Sequence, residues 1–213
     1  MGVAEDLAAR SVRSARSRAE QEVHALLEAA LSVLRKGGID ALTVAEVLAE
    51  AGLSTRAFYR HFAGKDELVL ALFGRESERA TAKRRAAIDA ATTSRARFDA
   101  WIDDVLALAY EPRRAARTHV LEAEGARLAN EFPREFAQIV RDELAPLVEI
   151  LEEGRRDGTF PDARPDADAR TIHAIVWSLT SARLGGLGGH EMSIDDVRKH
   201  VLRYCLPAIG ARR

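Results

Sequence analysis

Five side chains that can hold nucleic acid crowd into one short stretch of the chain. Residues 53–66 read LSTRAFYRHFAGKD, in which Arg56, Tyr59, Arg60, His61 and Lys65 occur together, and no acid interrupts the run from Ala51 to Lys65. A guanidinium can donate two hydrogen bonds to the O6 and N7 of one guanine in the major groove of duplex DNA. Lysine, tyrosine and histidine suit sugar–phosphate, where contacts set register rather than read sequence. At about 100° per residue, Phe58 and Phe62 fall on one face of a helix and Arg56 and Arg60 on the opposite one. Tyr59 takes one flank, and Ala57 and His61 the other. An aromatic anchor behind and two arginines in front suit a helix that enters a groove.

Other candidate chemistry is weaker. His119 and Glu122 stand one helical turn apart, but no third ligand accompanies them, so a surface pair is preferred to a metal site. His200 and Cys205 are five residues apart, roughly 140° around a helix, which favours a buried structural thiol over a thiol–base pair. The glycine run GGLGG at residues 185–189 lacks a preceding strand and a following Lys-Ser/Thr, so it reads as a loop and not a phosphate cradle. No spacing of carboxylates or of Ser, His and Asp suggests catalysis, and no cofactor is expected.

The elements that must position these residues are helical almost throughout. Val23, Leu26, Leu27, Ala30, Leu31 and Leu34 line one helix face, and Lys36-Gly37-Gly38 supplies a cationic last turn and a glycine cap. Thr43 and Glu46 have capping-box spacing at the start of a second helix, with Leu42 and Val47 as its hydrophobic staple. That helix ends near Ala51, and Gly52 makes the turn. Ser54 caps a third helix over 54–62, and the break AGKD leads into a helix from about Lys65 into the 80s. Two short helices joined by a glycine turn and braced by a third form a helix-turn-helix. The free N–H groups at the helix starts near Thr43 and Lys65 add two potential phosphate donors.

Longer helices follow at 94–110, 113–130, 134–157, 166–184 and 193–207, and Pro146 is expected to kink or split the one that contains it. Residues 1–18 are polar, hold four arginines and read as a mobile basic arm. The predicted fold is all-α, with a helix-turn-helix domain over 19–66 and a larger helical domain over 67–213.

The chain has 213 residues, 47% hydrophobic and 31% charged, with a formal net charge of -1, which describes an ordinary globular protein and no polycation. Its single cysteine excludes an intramolecular disulfide and a cysteine-based metal cluster. The start holds no apolar segment of signal-peptide type and no apolar run approaches a membrane span, so the cytoplasm is the expected location and no membrane partner is expected.

The segment from Ala19 to Phe73 closely resembles the DNA-binding domain of the tetracycline-repressor (TetR) family. The matching features are Ala29-Ala30, the glycine after the first helix, Thr43-Val44, Ala49, Gly52-Leu53-Ser54, Tyr59-Arg60-His61-Phe62 and Lys65-Asp66-Glu67-Leu68. Val47-Leu48 departs mildly, standing where the family usually has one β-branched residue and alanine. The resemblance implies that Thr43, Tyr59, His61 and Lys65 contact phosphate and that Ser54, Thr55 and Arg56 contact the groove. It further implies a homodimeric, ligand-responsive transcriptional regulator, more readily a repressor, bound to an inverted-repeat operator of double-stranded DNA and released by a small molecule.

Dimerisation is then expected through helices 166–184 and 193–207. Their apolar stripes hold Ile172, Ile175, Val176, Leu179 and Ala182, and Val197, Val201, Tyr204, Cys205 and Ala208, and such stripes could equally be intramolecular core. A largely apolar effector would meet Trp101, Val105, Leu108, His119, Glu122, Phe136, Ile139, Trp177 and Leu184, although aromatics at helical spacing also suit plain core. Two other classes stay open on sequence: a DNA-binding regulator controlled by a protein partner, and an all-helical enzyme.

Overall fold

The computed structural model describes residues 3–185 and 192–211, apart from the side chains of residues 3–9, 120, 122 and 123. Among the described residues the chain is all-helical, and no helix is long and apolar enough to cross a membrane. It divides into two compact units, with the division between Phe73 and Gly74.

The first unit begins with α1 (Val3–Ala41), so residues 3–18, expected as an arm, are helical and continuous with the first bracing helix. Gly38 interrupts α1 at φ 70°, ψ -167°, a left-handed φ that glycine adopts without a Cβ penalty, and one short turn follows it. α2 (Val44–Ala51) and α3 (Thr55–His61) form the helix-turn-helix. Thr43 Oγ1 accepts from Glu46 N at 3.1 Å, Ser54 Oγ accepts from Ala57 N at 3.3 Å, and Gly52 turns the chain at φ 65°. Leu26, Leu34, Leu42, Val47, Phe58 and Leu72 are sealed in this unit's core. Polar contacts pin α1 to α2 outside that core: Ser32 Oγ and Lys36 Nζ donate to Glu50 Oε1 at 2.7 and 2.9 Å.

The second unit comprises the rest of α4 (Lys65–Asp89), then α5 (Ser94–Tyr110), α6 (Pro112–Glu131), α7 (Pro133–Asp157), α8 (Pro165–Leu184) and α9 (Ile194–Ala208). Helix α5 is central and packs against α6, α7, α8 and α9. Trp101, Phe98 and Phe160 are its largest buried side chains. Gly158, at φ 81°, ends α7 and folds the chain back so that Phe160 lies directly on Gly154, whose missing Cβ makes the space.

α7 runs through Pro146 without splitting, and Leu144, Leu147, Ile150 and Leu151 are buried on the same helix. The α8 and α9 stripes are largely the chain's own core, since Ile172, Val176, Val197, Val201 and Cys205 are buried within this one chain. Tyr204 and Ala208 are left exposed, and Ile175, Leu179 and Ala182 half-buried.

Candidate nucleic-acid interface and effector site

Helix α3 turns its anchor inward as its angular positions require. Ala57, Phe58 and Phe62 are buried, with the rings of Phe58 and Phe62 5.7 Å apart. Thr43, Ser54, Thr55, Arg56, Tyr59 and Arg60 are exposed, and Tyr59 stands edge-on to Phe58 with 58% of its surface accessible. Arg56 makes no ion pair among the described residues. The structure therefore gathers the predicted groove-facing residues on one surface.

The remaining cations are not free. Glu22 of α1 takes both Arg60 Nη2 and His61 Nε2 at 2.8 Å on one carboxylate oxygen. The His61 side chain is only 10% exposed, while that of Arg60 keeps 54%. The hydrogen bond from His61, with those from Arg60, holds the Glu22 carboxyl below the usual carboxylate range. Lys65 Nζ donates to the Ile39 carbonyl at 3.2 Å, in the turn that follows Gly38. At the start of α4, Asp66 and Glu67 occupy the first turn, and Glu67 accepts from Ala63 N, just before the helix, at 2.6 Å. Glu22 was invisible to local spacing because its partners lie 38 and 39 residues away.

In the second unit the predicted effector residues do not converge on one cavity. Trp101 and Val105 are sealed in the hydrophobic core, with Leu108 packed against it. His119 is exposed, so its place in a pocket wall is withdrawn: it sits on the outer face of α6. The Glu122 side chain lies outside the described residues. Phe136, Trp177 and Leu184 are half-buried, and Trp177 stacks on His173 with centroids 6.1 Å apart. Ile139 lines a groove of about 260 Å³ between α4 and α7, together with Gly74, Ser77, Thr81 and Ala82.

Sequence reading also missed a buried polar cluster next to that core. Arg84 Nε and Arg114 Nη1 donate to opposite oxygens of Asp104 at 3.2 and 2.8 Å, and Arg84 and Asp104 are 4% and 7% exposed. The Arg84 guanidinium lies 5.7 Å from the Trp101 ring centroid. Burial, with Arg84 adding to it, pushes the His173 imidazole down to about 4, and burial pushes the Glu143 carboxyl up. Arg84 and Arg85 are adjacent in sequence, and only the helical face separates them. Cys205 is buried and its thiol is raised to about 11, in keeping with a structural role. No group of three or more His, Cys, Asp or Glu able to hold a metal occurs among the described residues.

Comparison with known proteins agrees with this geometry. The family model for bacterial regulatory proteins of the tetR family matches residues 26–72, which span the helix-turn-helix. The HTH-type transcriptional repressor KstR2 of Mycolicibacterium smegmatis is 25% identical over 189 residues, covering 86% of this chain and 88% of the relative. Two solved structures share the fold. FadR from Bacillus subtilis in complex with stearoyl-CoA has a TM-score of 0.70 at 17% identity, covering 87% of this chain and 98% of that one. The ketosteroid transcriptional regulator KstR2 of Mycobacterium tuberculosis has a TM-score of 0.52 at 21% identity, covering 90% and 95%. Residues 26–72 thus match the tetR family of bacterial regulatory proteins, and this helix-turn-helix presents Arg56 and Tyr59 outward.

Proposed function

We propose that the protein is a homodimeric repressor that binds an inverted-repeat operator through α3 and is released by a small molecule held in the second unit. The observation that carries the reading is the surface of α3, where Arg56, Tyr59 and Arg60 stand exposed over a buried Phe58–Phe62 anchor. Arg56 reads base edges, with Ser54 and Thr55 beside it in the groove. Thr43 and Tyr59 contact phosphate. Arg60, His61 and Lys65 act at the margin, each already held by the protein, so that they pre-set the helix as well as meet the backbone.

Support for the effector comes from the relatives. One similar protein is a transcriptional repressor, one was solved in complex with stearoyl-CoA and one is a ketosteroid regulator. The last two fit a large, mostly apolar effector for this chain. Trp101, Ile139 and Trp177 are among the contacts proposed for such a ligand. Helix α4 carries residues of both units and is the proposed relay. About 1–3 kcal/mol of coupling would weaken DNA binding by about 5- to 150-fold.

A mobility-shift series on a selected operator tests the DNA reading. Tyr59→Phe should weaken binding to all sequences alike, lowering the salt slope by about one unit for one lost phosphate contact. Arg56→Ala should instead reduce preference among sequences. Equal losses of specificity in the two variants would remove the assignment of roles.

A further inference from the structure

The buried cluster around Arg84 lacks a partner it is built to receive. An ion pair sealed in a core adds little net stability, so its retention asks for another reason. Two guanidiniums, Arg84 and Arg114, share the single carboxylate of Asp104, which leaves one positive charge in excess. Two donor groups beside it are unsatisfied among the described residues. Trp101 Nε1 is fully buried with no hydrogen-bond partner, and Arg114 Nη2 is buried and equally unpaired. Both can only donate, so the missing partner is an acceptor. A buried polar atom left without a bond costs roughly 1–3 kcal/mol, which a ligand acceptor would recover.

The cluster has an approach. Ser77, Thr81 and Arg84 fall at 4-3 spacing on α4 and so share a face. Ser77 and Thr81 line the groove between α4 and α7, and Thr81 Oγ1 is buried there without a partner among the described residues. On the facing side Ser77 Oγ donates to Glu143 Oε1 at 2.5 Å, and Glu143 lies next to Asp142 of the groove wall. Burial raises the Glu143 carboxyl against the pull of Arg84. Gly74, Ala82 and Ile139 give the lining an apolar stretch, and Glu78, Arg85 and Asp142 are its charged members.

We propose that this groove and the polar cluster behind it form a binding site for a monocarboxylic acid with an apolar body. The carboxylate accepts from Trp101 Nε1 and Arg114 Nη2, and the body lies along Gly74, Ala82 and Ile139. As the effector site of a regulator, the proposal rests on the reading that a small molecule bound in this unit releases DNA; as a binding site, it does not.

Calorimetric titration of the full chain with dodecanoate, methyl dodecanoate and dodecylamine tests it. Dodecanoate should bind at least about ten-fold more tightly than its ester, from the loss of a charge-assisted bond, and dodecylamine should not bind. Trp101→Phe, which removes the N–H but keeps a ring, and Arg114→Gln should each weaken dodecanoate by about ten-fold, with wild-type circular dichroism as the check on folding. Failure of dodecanoate to bind, equal affinity for acid and ester, or unchanged affinity in both folded variants would overturn the site. A parallel mobility shift separates the two readings. Operator binding without dodecanoate reports on α3 alone, and bound dodecanoate that releases no DNA would keep the site while removing effector control.

Discussion

Arg56 and Arg60 are one helical turn apart and of the same type, yet the structure assigns them different work. Arg60 is held at 2.8 Å by Glu22, whereas Arg56 has no ion partner among the described residues. Arg56→Ala should therefore cost about 1–3 kcal/mol of discrimination at one base pair, the worth of a bidentate contact, and Arg60→Ala clearly less. Competition binding against duplexes mutated singly across the operator checks this ordering, and the reverse ordering would refute it. In the second unit, His173 makes a prediction about pH. Its imidazole titrates near 4 when folded, because burial and then Arg84 oppose its charge. An unfolded histidine titrates near about 6.5. Between these values the unfolded chain binds the proton and the folded chain does not, so stability should fall as pH drops through that window. Urea midpoints measured from pH 7 to 4 should fall more steeply for the wild type than for His173→Phe. Parallel curves would show that His173 is not the group responsible.

At the scale of elements, the turn after α7 depends on a glycine for its space. A Cβ on Gly154 would collide with the Phe160 ring, which itself packs 5.5 Å from Phe98. Gly154→Ala should destabilise the second unit by about 1–3 kcal/mol through overpacking, read as a lowered thermal midpoint. Pairing it with Phe160→Leu should recover part of the loss. This contact also shows where sequence reading stops. Helix starts and ends were legible because they are local chemistry: Thr43, Ser54 and Gly52 act within three or four residues of themselves. The α3 anchor was legible for the same reason, since Phe58 and Phe62 set the face directly. Glu22 with His61, Arg84 with Asp104, and Gly154 beneath Phe160 depend on how helices pack or how a turn folds back, which spacing does not encode. The α8 and α9 stripes erred from the same cause: an apolar stripe states that a face is covered, not whether its own chain or a second copy covers it.

At the scale of the molecule, the proposed dimer must use what the chain leaves uncovered on α8 and α9. Tyr204 is 55% exposed, with Arg203 over its ring at 5.0 Å and His200 edge-on to it at 5.0 Å. A large aromatic of this kind is a typical interface anchor. Tyr204→Glu should shift sedimentation from dimer toward monomer at micromolar protein and, by separating the paired α3 helices, weaken operator binding more than Arg60→Ala does. Unchanged sedimentation would move the interface elsewhere. The central claim is that two copies of α3 read duplex DNA related by a twofold axis, and selection of binding sites from random duplexes tests it most directly. The recovered sites should form an inverted repeat with half-site centres about 34 Å, or somewhat more, apart, bound with an affinity that falls steeply with salt. Recovery of no common site, or of a single unpaired half-site bound equally well by Arg56→Ala, would contradict it.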